Sequence, residues 1–372
     1  VGGWFEGTVD FDPAAAHPGA SDVLTSQGER DLFILSIDSG TGNYQWVSQA
    51  GGTGTDFFEG IDVDSDGNVY IAGYIWSATA DFGTHPVDNP ANMTGYVAKL
   101  DTTGSFLWAN GIGDIPGGGT FDNGWAVAYD VAVDPTDESV YVGGMFAENA
   151  EFESTDAVSM TRATVGDRDA YIAKYSSDGV VLRVDQFGAV ANSTYDHLMR
   201  VYVRALAVDT VGNIYAAGKF GAMSTGSSYP IPGTIDLDPG PGTAERTVVG
   251  SWDGFVVKLD SVGGFVGGHA FGGLSSDEGT GVAVDSNGQT YVVGQFAGQA
   301  SFGGATLTSE GVEDSFISVL DADFNYMRTH RLGGEGYDHA RGVAVADPGM
   351  VLLAGDFQST ASLPTGQLLD AT

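Results

Sequence analysis

The sequence predicts an all-β chain, a β-propeller built of four-stranded antiparallel blades. Three observations lead there. One phrase recurs about every seventy residues. The apolar runs are of strand length and are punctuated by Asp, Asn and Gly. No segment of real length carries the 3.6-residue period of an amphipathic helix.

The recurring phrase is a small residue, apolar-x-Val-Asp, a turn, then an apolar strand closing on Gly-x-aromatic. It runs from Gly60 through Asp64 to Gly73 and Tyr74, and from Val131 through Asp134 to Gly144 and Phe146. It returns from Leu206 through Asp209 to Gly218 and Phe220, and from Val282 through Asp285 to Gly294 and Phe296. A fifth copy, Val343 to Phe357, has lost the Asp, and Gly3-Trp4-Phe5 is the tail of another. The closing glycines, at 3, 73, 144, 218, 294 and 355, stand 70, 71, 74, 76 and 61 residues apart.

A second phrase lies between the copies. It begins at Asp31, Gly95, Asp169, Asp253 and Asp314, and each time a turn and another strand follow. Each unit therefore reads as four short strands, A to D, joined by hairpins. Strands A and C are apolar on nearly every residue, as expected of strands covered on both faces. The Asp-x-x-Gly turn after strand A supplies Asx capping and a position tolerant of positive φ. Units of this kind repeated head to tail pack their apolar faces on their neighbours, as propeller blades do. Strand B occurs six times and the others five. Six blades follow if both ends are completed, with five and seven as alternatives. Residues 1–372 read as one propeller domain trimmed from a larger protein.

Composition narrows the function. The net charge is −35 and there is no cysteine, so disulfide and thiol chemistry are excluded. Such a field repels phosphate backbones and anionic lipid. Nucleic acid is therefore excluded as a partner, and with no apolar run of bilayer length, so is direct membrane insertion. The chain opens on Val-Gly-Gly rather than Met, which reads as a processed or trimmed start.

These phrases resemble the bacterial SBBP-type β-propeller repeat. The residues that carry the likeness are Gly51-Gly52, Asp56, Gly60 through Asp64, Gly67-Asn68-Val69-Tyr70 and Gly73, and again Gly272-Gly273, Asp277 and Gly281 through Gly294. The resemblance implies an extracellular, periplasmic or cell-surface bacterial protein. It specifies a fold, not an activity.

Candidate site residues follow. Asp56, Asp122, Asp196, Asp277 and Asp338 stand just upstream of strand A and would converge at a channel mouth, unless each caps its own turn. Asp62, Asp64 and Asp66 open like a calcium loop but lack the terminal Glu, and a hairpin turn explains them equally. Calcium is thus the one cofactor to test. Lys99, Lys174 and Lys258 share one slot of strand C, which points to a structural ion pair rather than catalysis. The cluster Tyr337, Asp338, His339 and Arg341 is the nearest thing to an enzyme site. The expected function is a non-catalytic binding or structural module that holds a protein or glycan, within a larger complex. The alternative is an extracellular polysaccharide lyase or glycosidase. Function is expected where the repeat fails, at residues 112–126, 190–204 and 221–247.

Overall fold

A strand buried on both faces needs apolar residues at every position, and strand B has them. Val69–Ile75, Val140–Ala147 and Ile214–Ala222 are buried along nearly their whole length. The computed structural model describes residues 1–12, 22–90, 93–113, 124–190, 196–222, 233–347, 350–358, 360–362 and 368–370. Among them the chain is all-β and antiparallel, with one 3-10 turn, Asp196–Leu198, and no α-helix.

The chain divides into two compact units, Val1–Ala163 with Ala173–Val184, and Thr164–Ile172 with Asp185–Thr372. In the first unit, strands B, C and D of one repeat (Gly2–Phe5, Asp31–Ile37, Tyr44–Gly52) form a sheet in that order. Strand A (Asp56–Val63) opens the next sheet, followed by Val69–Ile75, Thr94–Leu100 and Phe106–Gly113. Strands Trp125–Val133 and Val140–Ala147 pair as A and B of a third repeat. In the second unit the order A-B-C-D recurs twice. It runs first through Met199–Val208, Ile214–Ala222, Trp252–Leu259 and Phe265–Gly273, then through Asp277–Val284, Thr290–Phe296, Asp314–Leu320 and Tyr326–Gly334. Strands Asp338–Asp347 and Met350–Phe357 pair as a further A and B.

The sheets also hold strands that four-stranded blades do not predict. Between B and C each repeat carries a short hairpin, such as Thr79–Phe82 with His85–Asp88. Four of these hairpins pair with strand D of the repeat before: Gly51 and Gly52 lie opposite Asp81 and Ala80, and Gly272 and Gly273 opposite Ser301 and Ala300. Thr8–Asp10 with Val23–Thr25, and Thr234–Asp236 with Glu245–Thr247, form two-stranded sheets.

The turns follow the expected chemistry. Asp64, Asp209 and Asp285 each accept backbone N–H groups two and four residues on. Gly67, Gly212 and Gly288 then take φ of 85°, 85° and 80°. The same bond from the residue two on recurs in the B-to-C loops, from Asp12 to Asp10 and from Asp238 to Asp236.

The lysine slot is a clamp. Lys99 lies 3.4 Å from the buried Asp64 carboxylate and 4.8 Å from the Tyr70 ring centroid. Lys174 repeats this with Asp134 and Tyr141, while Lys258 covers Tyr215 and donates to the Ala322 carbonyl.

Candidate functional site

At one end of every repeat strand B finishes while strands C and A begin. Four repeats place an aspartate there at the start of strand C, and the repeat of Thr94–Leu100 places Thr94. Asp31, Asp253 and Asp314 are buried, and each accepts backbone N–H groups from the turn just upstream, such as Gln27 to Asp31 at 3.0 Å and Val249 to Asp253 at 2.9 Å. Asp169 does the same with Val165 and Gly166.

A second aspartate opens the following strand A. Asp56 accepts Gly52 N at 2.8 Å, Ser77 Oγ at 2.8 Å and Trp76 N at 3.2 Å. Asp277 accepts Gly273 N and Ala297 N, and Asp338 accepts Gly334 N and Gln358 N. Three of the predicted mouth residues are thus tied to the turn that joins strand D of one repeat to strand A of the next, in the capping role. The two aspartates meet across the Gly-Gly step that ends strand D. A Cβ at Gly272 would lie 2.8 Å from an Asp253 oxygen and 2.9 Å from an Asp277 oxygen, and its φ is +154°. Gly333 stands in the same way between Asp314 and Asp338.

Two carboxyls taken from water beside one another resist ionisation. Burial, with repulsion from Asp253 and Glu313, pushes Asp277 up to about 7. Burial raises Asp253 to about 6 and also raises Asp56, Asp169 and Asp314.

Two of the predicted mouth residues are not in this slot. Asp122 lies outside the described residues. Asp196 starts the 3-10 turn. The register puts Ala126 opposite Phe146 and Val201 opposite Phe220, where Asp56, Asp277 and Asp338 oppose Ile75, Phe296 and Phe357. A longer strand A in those two repeats had moved the alignment.

The calcium reading meets occupied ligands. Both Asp64 oxygens are engaged, one by the Asp66 and Asn68 amides and the other by Asn68 Nδ2 and the Lys99 ammonium. Asp62 turns away to accept Val133 N at 2.8 Å, and Asp66 is exposed. These three acids do not form a cage, and no group of metal-ligating side chains assembles among the described residues.

Around the aspartates at the start of strands C and A, the neighbouring positions change from repeat to repeat. Strand A pairs Phe57 with Tyr74, Val127 with Met145, Tyr202 with Lys219, Glu278 with Gln295, and His339 with Asp356. Each strand A also carries a bulge at one place, holding Glu59, Tyr129, Arg204, Thr280 or Arg341 in turn. Bulges of this kind re-aim a side chain out of the ladder.

In the second unit the variable positions gather cations and rings. Tyr202 and Trp252 meet edge to face at 5.6 Å, and Lys219 lies 5.3 Å from the Trp252 centroid. Glu278 bridges Arg204 at 2.8 Å and Lys219 at 3.0 Å, and Asp167 holds Arg200 at 2.5 Å. Three of the fourteen Lys and Arg residues, Arg168, Arg204 and Lys219, thus surround one tyrosine, Tyr202. The sequence singles out 190–204 as a break in the repeat, but nothing in it points to the partners Trp252 and Glu278, which the register brings in from other strands. Nearby, His339 stands 2.9 Å from Glu313 and 3.6 Å from Asp356, which also holds Arg341. Asp338, grouped with them in sequence, is buried and belongs to the carboxyl pair.

In the first unit the same positions form an aromatic cleft of about 490 Å³ lined by Glu6, Glu29, Arg30, Thr55, Phe57 and Trp76. A larger groove, about 900 Å³, runs past Trp108, Glu151 and Glu153. Its polar groups serve the fold: Glu153 accepts Gly111 N, and Trp108 Nε1 donates to the Ser177 carbonyl.

Residues 45–80 match the SBBP beta-propeller repeat. A stretch of 185 residues, 46% of this chain, is 26% identical to an uncharacterized WD repeat-containing protein of Acanthamoeba polyphaga mimivirus. The match spans 12% of that protein's length. Among solved structures, a chain of a nidogen/laminin complex aligns with 91% of this chain and 89% of its own, at 12% identity and a TM-score of 0.36. The extracellular domain of a one-component system from B. thetaiotaomicron aligns with 87% of this chain and 38% of its own, at 9% identity and a TM-score of 0.28.

Proposed function

We propose that this chain, a carrier of the SBBP beta-propeller repeat, is a non-catalytic binding module. It works outside the cell or on its envelope, within a larger assembly. Its six strand-B segments would correspond to six blades. The observation that carries the reading is the contrast at the start of strand A. The bulge recurs in every strand A and the aspartate in three of the five, while the side chains beside them change in every repeat. A fixed scaffold that presents variable residues at one rim is how repeat folds build binding surfaces. The rings and guanidinium groups found there, Phe57, Trp76, Tyr202, Trp252 and Arg204, are the residue types that dominate interface energetics.

Cross-linking the chain to a co-purified partner, followed by mass spectrometry, tests this. Links should fall beside Phe57, Trp76, Tyr202 and Trp252. Links confined to the opposite turns, near Asp64 to Gly67 and Asp285 to Gly288, would refute it. A second reading, a polysaccharide lyase or glycosidase, rests on Tyr337, His339 and Arg341 with Glu313 and Asp356. Release of new sugar ends from polysaccharide, abolished by His339→Ala, would put that reading in place of the first.

A further inference from the structure

The geometry points to a subsite for neutral carbohydrate in the first unit, in the cleft lined by Glu6, Glu29, Arg30, Thr55, Phe57 and Trp76. The inference rests on the reading of the chain as a binding module and supplies its ligand class.

The rings are not there for the fold. Trp76 is 50% exposed, although it is the residue that gains most from burial. The register places Glu6, Ala147, Gly221, Ala297 and Gln358 at the same position in the other repeats, all polar or small. Phe57 stands where other repeats have Val127, Tyr202, Glu278 or His339, so only one other repeat has a Phe or Tyr ring there. Phe57 stacks on Tyr74 at 4.5 Å and meets Trp76 at 5.1 Å with an interplanar angle of 66°. The two rings therefore make a corner, a shape that accepts the apolar C–H face of a pyranose.

Polar groups border that corner. Arg30 Nε donates to Glu6 at 2.8 Å, and Thr55 Oγ donates to Glu29 at 2.8 Å. A guanidinium carries five N–H donors and a carboxylate two acceptor oxygens, so neither pair is exhausted by one bond. Acceptors and donors side by side match vicinal hydroxyls, which do both. Two carboxylates face one guanidinium, in a chain of net charge −35, and this repels uronates, sulfates and phosphates. The volume lies within the roughly 300–1,000 Å³ of small-ligand sites. The cleft is also preorganised. Trp76 N donates to the Thr55 carbonyl at 3.1 Å and to Asp56 at 3.2 Å, and Asp56 N donates to the Arg30 carbonyl at 3.0 Å. Asp56 is therefore a positioning residue for the tryptophan, and little ordering remains to oppose binding.

The test titrates the full chain with neutral gluco-, manno- and N-acetylglucosamine oligosaccharides, and with oligogalacturonate as the charged arm. Tryptophan fluorescence and saturation-transfer NMR report binding. At least one neutral series should bind. Trp76→Ala and Glu29→Gln should each weaken it by at least about tenfold, some 1.4 kcal/mol. Oligogalacturonate should bind at least about tenfold more weakly, and Val262→Ser, on an exposed turn of the other unit, should change nothing. Both cleft side chains are solvent-exposed, and Glu29→Gln keeps the acceptor for Thr55, so a misfolded Trp76 variant leaves a second probe. No binding by any neutral series overturns the inference, as does binding that survives both substitutions. If the sugars fail while a partner still cross-links beside Tyr202 and Trp252, the binding-module reading stands and this subsite alone falls.

Discussion

Asp277→Asn should stabilise the protein at alkaline pH and leave it nearly unchanged in acid. Asp277 is fully buried against Asp253, and burial with that repulsion raises it to about 7. An unfolded aspartate titrates near 3.9, so holding Asp277 ionised in the folded chain costs about 3 pH units at ~1.4 kcal/mol each, roughly 4 kcal/mol. The folded state binds more protons than the unfolded one between those values. The stability of the protonated pair is therefore complete below about pH 4 and is lost as pH rises through about 6 for Asp253 and about 7 for Asp277. Asparagine is neutral throughout. It keeps an acceptor for Gly273 N, bonded at 2.8 Å, and gives up the longer 3.3 Å bond from Ala297 N. That loss is about 1 kcal/mol or less. The expected gain is then about 2–4 kcal/mol at pH 8, against a change within about 1 kcal/mol at pH 4.5. Urea unfolding followed by far-ultraviolet circular dichroism at the two pH values measures both. A wild-type midpoint that holds level or climbs from pH 5 to 8 would refute the argument. So would equal destabilisation by Asp277→Asn at both pH values, because the carboxylate would then be ionised and useful.

Two further outcomes follow from the turns and clamps. Lys99→Met should destabilise the chain by about 3 kcal/mol, because it strands the buried Asp64 carboxylate. Adding Asp64→Asn should recover part of that loss, and additive effects in a double-mutant cycle would sink the ion-pair assignment. The melting temperature should be the same in millimolar calcium and in chelator, since Asp64 spends its lone pairs on Asn68, Asp66 and Lys99. A shift of several degrees with calcium would show a site that the Asp62, Asp64 and Asp66 geometry does not explain.

What could be read from the sequence was whatever each repeat states locally. Strands B and C announce themselves because both faces are covered, whereas strand A is apolar even where a face is open, as the exposed Ile61 and Val63 show. The Asp-x-x-Gly turns and the lysine slot are legible because their partners lie a few residues away or recur at fixed spacing. The hairpin between B and C is not. Thr79–Phe82 and Gln299–Ser301 are four and three residues long, and each pairs with the edge of a neighbouring strand D. The carboxyl pairs were half legible: Asp56, Asp277 and Asp338 stand out, but Asp31 and Asp253 meet them only through bridges such as Arg30 to Thr55 and Trp252 to Ser276. The aromatic cleft was missed altogether. Phe57, Tyr74 and Trp76 read as ordinary strand residues until the register puts two of them opposite each other and the third beside them.

The hairpin that a repeat lends to the strand D before it has an evolutionary consequence. The segment that duplicates in the sequence and the sheet that folds are out of phase, so neighbouring repeats are stitched together. Losing a whole period keeps that phase, because Asn149–Phe152, which covers Phe106–Gly113, would then follow Tyr44–Gly52 and cover it instead. Losing the hairpin of residues 79–88 alone is different. The edge at Gly51 and Gly52 would be stranded and open to pairing with another molecule. Changes in repeat number should therefore be tolerated by whole periods, wherever the cut falls, while loss of a single hairpin should favour association.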